Sequence, residues 1–109
     1  MTHLQNRKCQ PLSGEPMTDR EVQDHLAQVS GWHLKDGAIE KTFSFKNYHE
    51  TMAFVNALAW ICHVEDHHPD LHVSYNRCVV RYNTHSVNGI SVNDFICAAK
   101  ADALVAFVG

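Results

Sequence analysis

Histidine and acidic residues concentrate in one short segment of this chain. The stretch HVEDHHPD spans residues 63–70, and together with His72 it holds four of the nine histidines. Within it, Asp66 directly precedes the adjacent pair His67 and His68. Imidazole titrates near neutral pH, so neighbouring histidines can act as proton donor and proton acceptor in a single reaction. The segment therefore leaves three hypotheses open: a metal site, an acid/base site and a pH-sensitive surface.

The metal hypothesis is favoured by spacing but not by the neighbouring residues. His63 and His67 are four residues apart and would share one face of a helix. His72 and His85 could complete a ligand set. However, Val64 stands where helical zinc motifs carry a glutamate, and two adjacent imidazoles do not easily face one ion. Because a histidine pair at this spacing also arises by chance, we expect no metal.

The acid/base hypothesis gives the same side chains a different task. In an elimination of water, one group protonates the departing hydroxyl while another accepts a proton from a ring nitrogen. Asp66 could orient an imidazole or accept a hydrogen bond from a ligand rich in N–H groups. The sequence shows no nucleophile motif, phosphate loop or dinucleotide fingerprint. Taken alone, His67 and His68 are equally consistent with polar residues in an exposed loop.

Length, composition and charge predict one globular cytoplasmic domain. Of the 109 residues, 45% are hydrophobic and 19% are charged, which is typical of globular chains. The net charge is −3 and the basic residues form no stripe, so no nucleic-acid partner is expected. The sequence has no apolar run of membrane-spanning length and no apolar leader near its start, so we expect a cytoplasmic protein without membrane contact. The four cysteines lie far apart in sequence and are expected to be reduced thiols.

The chain divides into an N-terminal arm and one domain. Residues 1–17 show no apolar period and predict an arm, whereas residues 18–109 predict a single domain. Thr18 and Glu21 have the spacing of a capping box, which predicts a first helix over about 18–29. The remaining elements must hold the histidine segment in place.

Two hairpins and two more helices follow. Apolar alternation on both sides of Asp36-Gly37 predicts the first hairpin, and residues 47–66 predict a long second helix. Alternation over 71–82, with a turn at Asn76-Arg77, predicts the second hairpin, and another capping box predicts a third helix over 91–107. The order α-β-β-α-β-β-α indicates an α+β fold, with a four-stranded antiparallel sheet and three helices on one face. The second helix is apolar nearly all round, so we expect its second face to pack against another subunit.

A longer pattern extends the histidine segment and points to a family. The pattern consists of His63, His67, His68, Pro69, Tyr75, His85 and Asp94. At every fixed position it resembles the signature of the pterin-4a-carbinolamine dehydratases. The segments GW, TFSFKNY, AFVNALA and THSVNGIS are also similar to that family, and the likeness runs over about 18–108. The arm around Cys9 resembles that of bacterial members.

The resemblance implies a reaction and a set of site residues. Members dehydrate 4a-hydroxytetrahydropterin to quinonoid dihydropterin and so restore the spent cofactor of aromatic amino-acid hydroxylases, without a metal or cofactor of their own. The catalytic histidines would be His67, His68 and His85. Substrate contacts would come from Asp66, His67, His68, Asn83, Thr84, His85 and Ser86. His63 and Trp32 are further candidates at the pocket, although a tryptophan at the start of a strand is also typical of a core.

Three positions qualify the resemblance. His63 stands where many members carry glutamate, so a carboxylate that could pair with a cationic imidazole is missing. Asn93 stands where some animal members carry arginine. Asp94 belongs to the pattern, but its place in a capping box favours a structural role over a catalytic one.

The resemblance also suggests partners. It implies a small pterin substrate, a homodimer or homotetramer, and functional coupling to phenylalanine hydroxylase. The alternative is a non-catalytic dimerisation or regulatory binding module of the same fold, because animal members also serve as dimerisation cofactors of a homeodomain transcription factor.

Overall fold

The computed structural model of the chain describes residues 3–106. Within that part, three α-helices and four strands occur in the predicted order α-β-β-α-β-β-α. They are α1 (Asp19–Leu26), β1 (His33–Lys35), β2 (Ala38–Ser44), α2 (Tyr48–Glu65), β3 (Asp70–Val73), β4 (Arg77–Tyr82) and α3 (Val92–Val105). The predicted α+β class is confirmed, with the helices packed on one antiparallel sheet.

Element boundaries differ from the sequence predictions by a few residues. The helix α1 ends at Leu26 rather than near 29, because the chain continues in tight turns in which Val29 N–H donates to the Leu26 carbonyl. The second hairpin turns one residue earlier than predicted, since the Arg77 carbonyl already accepts from Ser74 N–H. The predicted end of the third helix, at residue 107, lies outside the described residues.

The four strands form a sheet in the order β1-β2-β4-β3, with every neighbouring pair antiparallel. Side chains alternate across such a sheet, and Ile39, Val80 and Tyr82 of the two central strands are fully buried on its inner face. Leu58 of α2 and Phe95 of α3 are also fully buried in this core. The core therefore lies between the central strands and the helices.

A partly buried polar network fixes α3 against the sheet. Lys41 is the polar residue on the inner register of β2, and its Nζ lies 2.8 Å from Asp102 Oδ1. The indole N–H of Trp32 also donates to Asp102, at 3.1 Å. The inward lysine is thus explained by a carboxylate on α3, and this contact helps to set the position of that helix.

The N-terminal arm packs along α3. Leu4 is buried, and Asn93 exchanges two hydrogen bonds with the backbone of Gln10. The Sγ atoms of Cys9 and Cys97 lie 3.5 Å apart, and all four cysteines are free thiols. None of the helices formed by residues 3–106 has the length and apolar character needed to cross a membrane.

Candidate active site

The end of α2 delivers the histidine pair to one end of the sheet. Asp66 adopts the left-handed conformation with φ 51°, and its N–H donates to the Cys62 carbonyl. His67 N–H donates to the same carbonyl at 3.2 Å. Such a left-handed C-terminal residue ends a helix and redirects the chain. The following Pro69 cannot continue the helix, so His67 and His68 stand in the tight connection to β3.

His67 is bound to a buried carboxylate. Its Nε2 lies 2.6 Å from Asp94 Oδ1, at the first turn of α3. Asp94 is fully buried, and the His67 side chain is 12% exposed. Charge-assisted hydrogen bonds of this kind are among the stronger ones in proteins. This contact joins the end of α2 to the start of α3.

The second oxygen of Asp94 connects the same carboxylate to β4. Its Oδ2 accepts from Ser91 N–H and from the Thr84 hydroxyl, both at 2.9 Å. Because Thr84 gives its one hydroxyl proton to Asp94, the Ser91 hydroxyl must be the donor in the 2.7 Å contact between the two hydroxyls. The hydroxyl of Ser91 thus donates to Thr84, and the hydroxyl of Thr84 donates in turn to Asp94, so Asp94 is an acceptor in each of these contacts.

This arrangement determines which nitrogen of His67 is available for chemistry. Asp94 accepts all its other hydrogen bonds, as an ionised carboxylate does. We therefore assign the proton of the neutral imidazole to Nε2, facing Asp94, and the lone pair to Nδ1. When the imidazole is protonated, Nδ1–H becomes a donor while the carboxylate balances the charge. His67 can consequently pass a proton in either direction through Nδ1.

An aromatic side chain packs nearly parallel to the same imidazole, offset from it. The rings of His67 and Tyr82 are nearly parallel, with an interplanar angle of 9° and a centroid distance of 5.8 Å. Tyr82 is the last residue of β4 and is fully buried. Burial raises the pKa of its hydroxyl, so this side chain stays a neutral phenol.

The segment after β4 carries the other predicted site residues. Thr84 is buried, and its N–H donates to the Gly89 carbonyl at 2.7 Å while its own carbonyl accepts from Gly89 N–H. His85 and Ser86 follow in a short 3₁₀ turn and are exposed. Since Thr84 is hydrogen-bonded to Asp94, the histidine next to it is held at the same end of the sheet as His67.

The remaining candidates occupy varied positions. Asn83 is half-buried, whereas the side chains of Asp66 and His68 are exposed. The His63 ring packs on Trp60 at a centroid distance of 5.4 Å. Trp32 is 5% exposed, with its ring 6.0 Å from Tyr82, so it lies in the core behind the residue that contacts His67. Roles of these residues toward a substrate stay predictions.

A metal cage is not assembled from these side chains. Among residues 3–106, no group of three or more histidine, cysteine or acidic side chains is placed to hold an ion. The i, i+4 spacing of His63 and His67 is interrupted by the end of α2, because α2 ends at Glu65. The two residues consequently do not share one face of a helix.

Asp94 and Tyr82 are the residues that sequence reasoning missed. The capping box of Asp94 favours a structural role, yet one carboxylate oxygen caps α3 while the other holds His67. Its fixed place in the family pattern was the available signal. Tyr82 carried no signal beyond strand alternation.

Comparisons with known proteins agree on one family. The family described as pterin 4 alpha carbinolamine dehydratase matches residues 15–104. A Nitrosomonas eutropha protein named for this dehydratase is 55% identical over 105 residues, covering 94% of this chain and 93% of the relative. A Bdellovibrio bacteriovorus protein named for it is 55% identical over 107 residues, covering 94% and 88%.

Solved structures give the same result. A transcriptional coactivator/pterin dehydratase from Brucella melitensis superposes with a TM-score of 0.79 at 33% identity, covering 83% of this chain and 98% of the other. A pterin dehydratase-like protein identified as a RuBisCO assembly factor in the alpha-carboxysome shares the fold alone, with a TM-score of 0.58 at 24% identity over 69% of this chain and 87% of the other. The chain therefore belongs to the pterin-4-alpha-carbinolamine dehydratase family, an enzyme family of the hydro-lyase class.

Proposed function

We propose that this protein dehydrates 4a-hydroxytetrahydropterin to quinonoid dihydropterin by histidine acid/base catalysis. The observation that carries this proposal is the buried Asp94 bound to Nε2 of His67, which leaves Nδ1 of the imidazole for proton transfer. Membership of the family supplies the substrate class.

The proposed reaction needs one proton donor and one proton acceptor. The lone pair of the ring nitrogen beside C4a forms a C=N bond as the C4a–O bond breaks. The departing hydroxide takes a proton from a protonated imidazole and leaves as water. The proton on the ring nitrogen passes to a second, neutral imidazole. The two histidines then re-equilibrate their protons with solvent, which restores the starting state.

We assign these tasks to the three histidines of the family pattern. His67 or His85 protonates the leaving hydroxyl, since either face of the pterin could be served by the histidine on its own side. His68 holds the pterin and helps to accept the nitrogen proton. Each positioned proton transfer contributes roughly 10²–10⁴-fold, so no single histidine should account for all of the rate.

Asp66 and the backbone of residues 83–86 would bind the amide-like edge of the pterin, and the reaction would require no metal or cofactor. Once a separate reductase has reduced the product to the tetrahydropterin, it would serve again as the cofactor of an aromatic amino-acid hydroxylase such as phenylalanine hydroxylase. A cytoplasmic location stays a prediction of the sequence.

A coupled hydroxylase assay tests the function. The decay of the 4a-hydroxy intermediate formed by phenylalanine hydroxylase is followed with and without this protein. Wild type should accelerate the decay, and the double variant His67→Ala/His85→Ala should lose nearly all of the acceleration. His49→Ala, at an exposed position of α2, is the matched control. No acceleration by wild type would end the proposal and favour the regulatory binding module instead.

We further propose that the protein self-assembles through α2. Trp60 and Val64 of this helix are 67% and 48% exposed. Neighbouring β3 is an edge strand whose Leu71 and Val73 are also more than a third exposed. Exposed apolar side chains on α2, together with an unpaired strand edge at β3, support a homodimer or homotetramer.

A further inference from the structure

The aromatic ring nearly parallel to that of His67 belongs to Tyr82, at the end of β4. Tyr82 is the terminal residue of a central strand and pairs with Ile39 of β2, so its backbone is held on one side by the sheet. Its ring also packs against Trp32, whose indole is itself anchored to Asp102. The surface that faces the imidazole is therefore built from rigid elements.

The hydroxyl of Tyr82 does not explain the residue. This buried oxygen finds no hydrogen-bond partner in the part of the chain spanning residues 3–106. A buried hydroxyl without a partner is unfavourable, so the phenol oxygen weakens rather than strengthens the fold. The part of Tyr82 that contacts the site is its aromatic ring, which packs beside the His67 imidazole.

A single hydrogen bond leaves an imidazole partly free. The contact between Nε2 and Asp94 fixes the direction in which His67 points, but the ring can still turn about the line through that contact. The Tyr82 ring, nearly parallel to the imidazole and offset from it, opposes this rotation. Because the lone pair of Nδ1 lies in the plane of the imidazole ring, the orientation of that plane sets the direction of the lone pair.

We propose that Tyr82 is a positioning residue for the dehydration, with its ring setting the plane of the His67 imidazole while Asp94 sets its direction. The inference rests on the proposed function of His67 as a proton carrier. Misplacing a reacting group by about 1 Å can cost on the order of 100-fold in rate. Tyr82 therefore acts on the chemical step rather than on pterin binding.

Variants that remove the flat ring test this proposal. Tyr82→Met fills the space with a flexible side chain, and Tyr82→Leu is a second variant should the first fold poorly. Each should lower kcat about 10- to 100-fold with KM changed less than about threefold, the pattern of a lost transition-state interaction. The conservative Tyr82→Phe keeps the ring and should restore kcat to within about twofold of wild type.

A control separates positioning from general loss of packing. Phe43 is a buried aromatic of β2 that packs on Trp32 and Phe54. Phe43→Met should lower the melting temperature as Tyr82→Met does but leave kcat close to wild type. Equal kcat values for the two methionine variants would overturn the proposal.

A spectroscopic readout is independent of turnover. In the free protein, the NMR signals of the His67 ring protons should be displaced by the ring current of Tyr82. Tyr82→Met should remove the displacement and Tyr82→Phe should keep it. An active wild type without this displacement refutes the positioning role alone. An inactive wild type that shows it refutes the proposed dehydratase function, and the catalytic part of this inference with it.

Discussion

Replacing Asp94 by asparagine is predicted to reverse the tautomer of His67. The asparagine amide has one oxygen and one NH₂ group in place of two acceptor oxygens. The Ser91 N–H and Thr84 hydroxyl both donate to Oδ2, so the amide oxygen should take that position, where it accepts two hydrogen bonds. The NH₂ group then faces Nε2 of His67, which must become an acceptor, and the proton moves to Nδ1.

The expected loss of activity is large because the wrong nitrogen then carries the proton. A neutral His67 with Nδ1–H can no longer accept a proton there, and without the carboxylate its cation is less stable. The contribution of one acid/base group sets the scale, so kcat should fall by roughly 10²–10⁴-fold. Charge-assisted hydrogen bonds become neutral ones, which should reduce the free energy of unfolding by about 1–2 kcal/mol.

The assay compares two carboxylates on the same helix. Asp102→Asn also replaces a partly buried carboxylate of α3, which binds Lys41 and Trp32 rather than a histidine. Both variants should lose stability in urea unfolding, but only Asp94→Asn should lose kcat in the coupled hydroxylase assay, with the tautomer change visible in the ¹⁵N spectrum of the imidazole. If folded Asp94→Asn keeps the kcat of Asp102→Asn, the reasoning is refuted.

Three further predictions follow from contacts away from this pair. Trp60→Lys should lower the molar mass measured by light scattering toward the 12.3 kDa of a monomer, because it places a charge on the exposed apolar face of α2. A wild type that is already monomeric would contradict this prediction. Asn93→Ala removes both hydrogen bonds to Gln10, so trypsin should cleave the arm faster than in wild type, and equal rates would show that other contacts hold it. The hydrogen bond from Arg81 lowers the pKa of Glu40 in the folded protein. The stability that this hydrogen bond adds is therefore fully present above the pKa that Glu40 has in the unfolded chain. It is lost as the pH falls through the lower pKa that Glu40 has in the folded state. Glu40→Gln should therefore flatten the acid dependence of unfolding, by less than about 1 kcal/mol for this solvent-screened pair, and an unchanged slope would oppose that assignment.

Local sequence signals predicted the elements because each acts over a few residues. The capping box at Thr18, the turn at Asp36-Gly37 and the N-cap at Asn47 all occur where expected. The observed turn of the second hairpin lies one residue before the predicted one, because Asn76-Arg77 is a weaker turn signal than an aspartate-glycine pair. Signals of this kind state where an element begins, but not which residues meet across the fold.

Contacts between residues that are distant in sequence could not be predicted from local sequence signals. The partner of Lys41 is 61 residues away, and the partner of His67 is 27 residues away. Alternation along β2 puts Lys41 on the inner face but does not identify its partner, and the histidine cluster suggests Asp66 as the nearby acid. The structure instead exposes Asp66 at the end of α2 and brings Asp94 to the imidazole, because the helix end turns the chain back toward α3.

The dual contact of Asp94 makes the site and the fold depend on one side chain. One oxygen caps α3 and ties it to Thr84, while the other holds His67. A helix cap requires only an acceptor, which asparagine or serine could supply. Orienting a histidine that must become a cation requires a charge, and a buried charge is stable only where donors surround it. The cap supplies those donors, so the capping box at the start of α3 is also the means by which a buried charge is maintained beside His67.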